Sequence, residues 1–593
     1  MSKSFSRMGW VIVAALLCVS LAILPACGGG GGGGPIPYLN PGVFTEMIIG
    51  LPETLDYSAA YDTSSAEMIT YVYEPLLAYN GTSITTFVPV LATDWTWNAT
   101  DMTWAFTIRS GVHFQEVNNL TPGYGNLTPE DVEYSFERTM ITDRGGGPAA
   151  LILRPLVGVE TYADTNFTAV DESVEVVGNT VVFHLSSAAY QLIFLQTIAQ
   201  SFGVIADKEW CIDKGEWNGT AVDAPNHYQV EPTYLFTHMD GTGPWKLNLL
   251  EAETQIKFEK WSGYWGTPAP FDWVIGQLVE EWSTRKAALL AGDADYIDVD
   301  RQYIHQLDNI TDLNVYSGLP QLTSLAFYMV LNISPTSPYI GSGLLNGNGI
   351  PGNFFNDSAV RKGFACAMDY NTFINDAYLG EGIRAGLVVQ GLYGYNSSVP
   401  MYNFNLTQAK WYLEHTGLSV SNLSTIGFKF TLLYNAGNQA RKTAAEILQK
   451  NLLAINSKFQ VSIQPLSWST GILPLIKTQD ATAYFIGWGA DFPHADNFIF
   501  PFMHTAGTYS KYQQYGNSTI DALIVAALAE SNPATQLQDY YDLQVIYYED
   551  CPGYPLVQPV GRRYFTKYIH GFYFNPMIPG NSGPVYYMTK SNP

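Results

Sequence analysis

Only one stretch of this 593-residue chain is apolar enough to cross a membrane, and it stands at the start. From Met8 to Ala26 the residues are apolar or small, with Lys3 and Arg7 ahead of them. Roughly 18 such residues are just enough to span a bilayer core. Every later apolar run is interrupted well short of that length, so the rest of the chain reads as a body that folds in water. At about 150 residues per domain, three or four units are expected. The whole chain is acidic: 53 Asp and Glu against 29 Lys and Arg give a formal charge of −24. Such a chain repels phosphate backbones and gains nothing from counterion release, which argues against nucleic acid as a partner. Hydrophobic residues make up 47% and mean hydropathy is zero, which excludes wholesale disorder. Charged and aromatic residues each make up 14%, a balance suited to gripping a ligand by stacking and hydrogen bonds.

The basic start, the apolar run and then Leu24-Pro25-Ala26-Cys27 resemble a lipoprotein signal peptide with its lipobox. That resemblance implies cleavage after residue 26 and lipidation of Cys27. An uncleaved anchor helix is the alternative. Gly28 to Gly34 follow as seven glycines, then Pro35-Ile36-Pro37. No lysine follows the glycines, so they are a tether rather than a phosphate-binding loop. Of the remaining cysteines, Cys211, Cys366 and Cys551 have no metal-ligand spacing. An odd number leaves at least one thiol outside any internal disulfide, and Cys366 reads as a small buried hydrophobe. Asn-X-Ser/Thr occurs thirteen times between Asn80 and Asn517, against roughly five expected by chance, which suggests a glycosylated external surface.

Helix and strand signals alternate without a fixed period. Thr128-Pro129-Glu130-Asp131 opens a helix through Met140; Thr284 to Leu290 is a short helix that Gly292 stops. Asn356-Asp357 cap a helix to about Met368, Asn405 with Gln408 caps another that Gly417 ends, and Gln439 to Ala454 is amphipathic throughout. Strands are expected at Trp104–Ile108, 174–185, 254–258, 322–331, 428–434 and 481–488. The pattern is α/β in several domains.

Several motifs are more specific than this pattern. Tyr73-Glu74-Pro75-Leu76 precedes Pro89-Val90-Leu91-Ala92, then Trp104 through Phe114, then Leu127-Thr128-Pro129-Glu130-Asp131-Val132. Further on come Gly241-Thr242-Gly243-Pro244-Trp245 and Arg285, Ala288, Leu289, Gly292, Asp295. Asp357, Val360-Arg361, Ala367-Met368-Asp369 and Gly487-Trp488-Gly489-Ala490-Asp491-Phe492 complete the series. In order and spacing these resemble the extracellular solute-binding proteins of peptide/nickel ABC importers, the oligopeptide-binding family (family 5). The resemblance implies a type II periplasmic-binding-protein fold of cluster C: two α/β lobes with a hinge, and an extra domain inserted in the first lobe. On that pattern residues 1–26 are the signal peptide and 27–40 the lipidated Cys and tether. Residues 41–75, 233–310 and 549–593 form lobe I, 76–232 the inserted domain and 311–548 lobe II.

The resemblance also implies a ligand site. In the family the Asp of Gly-Trp-x-Ala-Asp pairs with a peptide's α-ammonium, and the backbone before it pairs with the peptide as a strand. Here those positions are Asp491 with Gly487, Trp488 and Gly489. Thr54-Leu55-Asp56 resembles the family's cleft edge, so Leu55, Asp56 and Tyr57 are expected to line the site. Dipeptide-specific members carry an Arg before the helix matched by Gln439–Ala454. Leu433 to Asn438 holds no basic residue, and Arg441 lies too far into the helix to substitute by sequence position. Peptides longer than dipeptides are therefore expected, delivered to ABC permease subunits by a monomer with no enzymatic activity and no cofactor or metal.

Rival readings are an oligosaccharide or nickel-chelate binder, a receptor-docking sensor and an exported hydrolase. His494, Asp496 and His504 are the residues a metal reading would use. Gly347-Asn348-Gly349-Ile350-Pro351-Gly352 spells a dinucleotide fingerprint, but Pro351 breaks it before any helix. Glu280 and Glu281 are adjacent and face opposite ways on a strand, so they make no glycosidase pair.

Overall fold

Helix caps decide where the chain leaves its strands. In the computed structural model the described residues are 35–592, apart from 117–124, 143–151, 158–166, 228–231, 419–421, 468–470, 579 and 581–583. Residues 1–26, Cys27, the glycine tether and the sequons at Asn119 and Asn166 lie outside them. The helix opening at Pro129 runs to Thr142, and Asp357 caps Ser358–Ala367 by accepting the amides of Ala359 and Val360. The helix expected from Thr284 starts two residues earlier, at Trp282. Glu281 accepts the Thr284 amide at 2.7 Å, and Gly292 closes the far end with φ 77°. The continuous strand expected over 174–185 is two, Val174–Val177 and Thr180–His184, because Gly178 turns the chain at φ 63°.

The largest sheet has ten strands. Val43–Ile48 lies within it, parallel to Trp273–Leu278 on one side and to Tyr296–Ile297 on the other. The antiparallel pair Trp245–Glu251 and Gln255–Lys260 extends that section. The 14-residue strand Gly553–Thr566 then joins two sections of sheet. Its C-terminal half pairs with Tyr296–Ile297 and Leu313–Pro320, its N-terminal half with Thr323–Met329 and Gly382–Ile383. Among the described residues Ala483–Gly489 pairs only with Thr323–Met329 and ends the order as an edge strand. A separate four-stranded antiparallel sheet comprises residues 92–98, 103–108, 180–184 and 174–177. Phe428–Asn435 and Phe459–Leu466 form a parallel pair with Gln439–Ile455 as their crossover helix.

Most of the signature residues hold this framework together. A Cβ at Gly241 would sit 2.1 Å from the Val72 carbonyl, and Thr242 donates to Glu74 at 2.8 Å. The motif around them is therefore a packing device. Arg285 is fully buried and donates to the carbonyls of Val279, Glu280 and Asp298. Arg361 does the same for Phe355, Asn356, Asp550 and Cys551. Cys211, Cys366 and Cys551 are free, buried thiols. Among the described residues no helix is long and apolar enough to cross a membrane.

Candidate functional site

The edge strand Ala483–Gly489 delivers its last residues to a cavity of about 610 Å³. Strand alternation sorts them. Trp488 turns inward and is 8% exposed; its indole N–H donates to the Asn497 carbonyl at 2.8 Å, and its ring meets Phe502 and Tyr509 edge to face. Gly487 and Gly489 face the cavity. Neither has a positive φ, and a Cβ at either would touch its nearest neighbour at an ordinary 3.5–3.6 Å. Their smallness keeps space open along the strand edge.

Asp491 follows directly. Its Oδ2 accepts from the Asn497 side chain and its Oδ1 from the Tyr61 hydroxyl, both at 2.9 Å. Its backbone carbonyl accepts from Gln200 at 2.7 Å. Tyr61 and Gln200 line the same cavity but are far from Asp491 in sequence, so two hydrogen bonds tie distant parts of the chain to one residue. Burial pushes the carboxyl up to about 6, against the lowering effect of the Asn497 and Tyr61 hydrogen bonds. It is a carboxylate poised to gain from a cation.

Two guanidiniums line the same cavity, those of Arg441 and Arg563. The distance of Arg441 along the sequence proves a poor guide to its place. It is the third residue of Gln439–Ile455, and helical side chains lean toward the N-terminus. Its Nη2 therefore comes within 3.6 Å of where a Cβ on Gly487 would be. Burial pushes its guanidinium below the ordinary arginine range.

Leu55, Asp56 and Tyr57 do not line this cavity, contrary to the sequence reading; they are 0%, 1% and 3% exposed. Asp56 accepts both Nη1 and Nη2 of Arg138 at 2.7 Å, and Arg138 also reaches Glu216 at 2.8 Å. Burial alone would raise the Asp56 carboxyl, but the Arg138 charge and hydrogen bonds hold it below its usual value. The cause of the misplacement is Arg138. It sits mid-helix on a buried face and needs an anion, and the segment 54–58 supplies it. Tyr61-Asp62-Thr63, a few residues on, form the cavity wall instead.

His494, Asp496 and His504 are engaged separately. His494 is buried against Tyr393, Asp496 pairs with Arg154, and His504 lies 3.8 Å from Asp521. Burial pushes the His494 imidazole down to about 4. Among the described residues the one acidic cluster with metal-like spacing is Asp131, Asp207 and Glu209. Asp131 and Asp207 accept backbone amides of Thr128, Lys208, Trp210 and Gly125.

A cavity lined by a carboxylate, two arginines and an edge strand has the donors and acceptors to suit a polar ligand. Comparison with known proteins agrees. The family model described as bacterial extracellular solute-binding proteins, family 5 Middle, matches residues 86–510. Heme-binding protein A of Haemophilus influenzae is 24% identical over 88% of this chain and 88% of its own. The dipeptide-binding protein of Escherichia coli is 23% identical over 89% and 90%. The periplasmic binding protein DppA of Helicobacter pylori, solved with the peptide STSA, superposes with a TM-score of 0.71. That match covers 93% of this chain and 98% of DppA at 20% identity. This chain belongs to family 5 of the bacterial extracellular solute-binding proteins. It has the family's two-lobed α/β fold and is a binding protein rather than an enzyme.

Proposed function

We propose that this protein captures short peptides longer than dipeptides and delivers them to the permease of an ABC importer. The peptide's ammonium sits on Asp491, its backbone runs along Gly487–Ala490, and its terminal carboxylate reaches Arg441. The observation that carries this reading is an acid and a base at opposite ends of one free strand edge inside one cavity. From Gly487 to Asp491 the chain advances four residues, at most about 13 Å at roughly 3.3 Å per extended residue. That is the span of a tri- or tetrapeptide. A ligand touching Asp491 on one wall and Tyr61 or Gln200 on the other is held by both only when they are close. Binding therefore favours the closed form that a permease recognises. We further propose that the lobes follow the boundaries read from the sequence and that Cys27 carries a lipid anchor.

The test is mass spectrometry of whatever co-purifies with the protein, followed by calorimetry with the recovered species. A set of tri- to pentapeptides is expected. Recovery of a sugar, a haem or a metal chelate in their place overturns the peptide reading and retires Asp491 as an ammonium partner.

A further inference from the structure

We propose that Arg563 makes the cleft selective for ligands that carry an acidic side chain. This deepens the peptide reading above and rests on it. The strand Gly553–Thr566 carries two arginines in succession, and a strand turns successive side chains to opposite faces. Arg562 shares its face with Tyr564, to whose hydroxyl it donates at 3.2 Å. Its guanidinium is saturated by Asp308 and Glu381, the Nε reaching Glu381 Oε1 at 2.6 Å. Arg563 turns the other way and forms part of the cavity wall. It donates to the Arg562 carbonyl at 2.9 Å and lies 5.9 Å from the Phe574 ring. It belongs to none of the ion pairs among the described residues. Asp298 feels its field, but that carboxylate accepts from the Ile49 amide and the Tyr296 hydroxyl and lies beyond ion-pair distance.

Charge matching then favours one kind of ligand. The cavity is lined by two guanidiniums, Arg441 and Arg563, and two carboxylates, Asp62 and Asp491. Asp62 is engaged as the cap of Thr63–Val72, accepting the Ser65 amide at 2.9 Å. A zwitterionic peptide spends its ammonium on Asp491 and its terminal carboxylate on Arg441. Arg563 is left against the ligand with no counter-charge, and closure strips it of water. A Glu or Asp side chain on the ligand removes that penalty. The planar guanidinium takes a carboxylate through two parallel hydrogen bonds, which an amide cannot match.

The experiment is calorimetry on the full chain with alanine tetrapeptides carrying one Glu, against the same peptides carrying Gln, at positions two, three and four. At one position the Glu peptide should bind on the order of tenfold tighter or more. That preference should vanish in Arg563→Gln, survive in part in Arg563→Lys and persist in Arg441→Gln. Equal binding of Glu and Gln peptides at all three positions overturns this inference and leaves the peptide reading standing. So does a preference that persists in Arg563→Gln. No binding by any of these peptides overturns both.

Discussion

The buried lock of Asp56, Arg138 and Glu216 and the cavity set of Asp491, Arg441 and Arg563 use the same residue types for opposite ends. In the lock the cation lies within 2.7–2.8 Å of both carboxylates, and all three side chains are buried. Around the cavity the carboxylate of Asp491 is held by neutral donors, Tyr61 and Asn497, which position it without cancelling its charge. An acid held by a guanidinium is neutralised in place; an acid held by a hydroxyl and an amide has no built-in counter-charge. Burial separates the two sets as well: the lock's three residues are 1–4% exposed, whereas Asp491, Arg441 and Arg563 are only partly buried.

The comparison breaks most readily at the lock. Arg138→Ala leaves two carboxylates buried without their cation and should cost about 3–5 kcal/mol of stability. Urea unfolding would measure it, and a loss below about 1 kcal/mol would show that the lock is not structural. Asp491→Ala should do the reverse, weakening peptide binding by about 2–5 kcal/mol while the unfolding midpoint barely moves. Gly487→Val tests the open edge. Its Cβ fits without strain, so the protein should fold, but the branched side chain occupies the ligand's path and should weaken binding about tenfold. Acidity offers a comparable lever. Only ionised Asp491 pairs with an ammonium, and its carboxyl titrates at about 6. Affinity should therefore fall about tenfold from pH 7.5 to pH 5, because roughly one molecule in ten stays ionised there. Asp491→Asn should abolish that slope. The smallest effect is expected from Trp488→Phe, which forfeits the bond to Asn497 and should cost about 1 kcal/mol of stability with little change in binding.

Much of the framework was legible because its signals are local. Asp357, Asn405 and Gly292 announce helix ends by chemistry that acts within a few residues. The place of Asp491 in a cavity lining was legible for another reason, the motif that surrounds it. Leu55, Asp56 and Tyr57 were misplaced because a motif records order along the chain but not which side faces the cavity. An arginine amid Tyr134, Phe136 and Met140 was the available hint that some acid must be drawn inward. Arg441 was discounted by counting residues, although the lean of helical side chains could have restored it. Arg563 was invisible as a cavity residue. Two adjacent arginines look alike until the pairing of their strand says which one faces the ion cluster with Glu381.

The strand Gly553–Thr566 bears on how the protein is made. Val43–Ile48 and Tyr296–Ile297 belong to a sheet that also needs a strand about 500 residues beyond the first of them. At roughly 5–20 residues per second, a ribosome spends about 25–100 s between the two. Val43–Ile48 gains both its neighbours once residue 297 is made, but the far edge of Tyr296–Ile297 waits for Gly553–Thr566. The nascent chain is therefore kept from completing its native sheet until synthesis is nearly over.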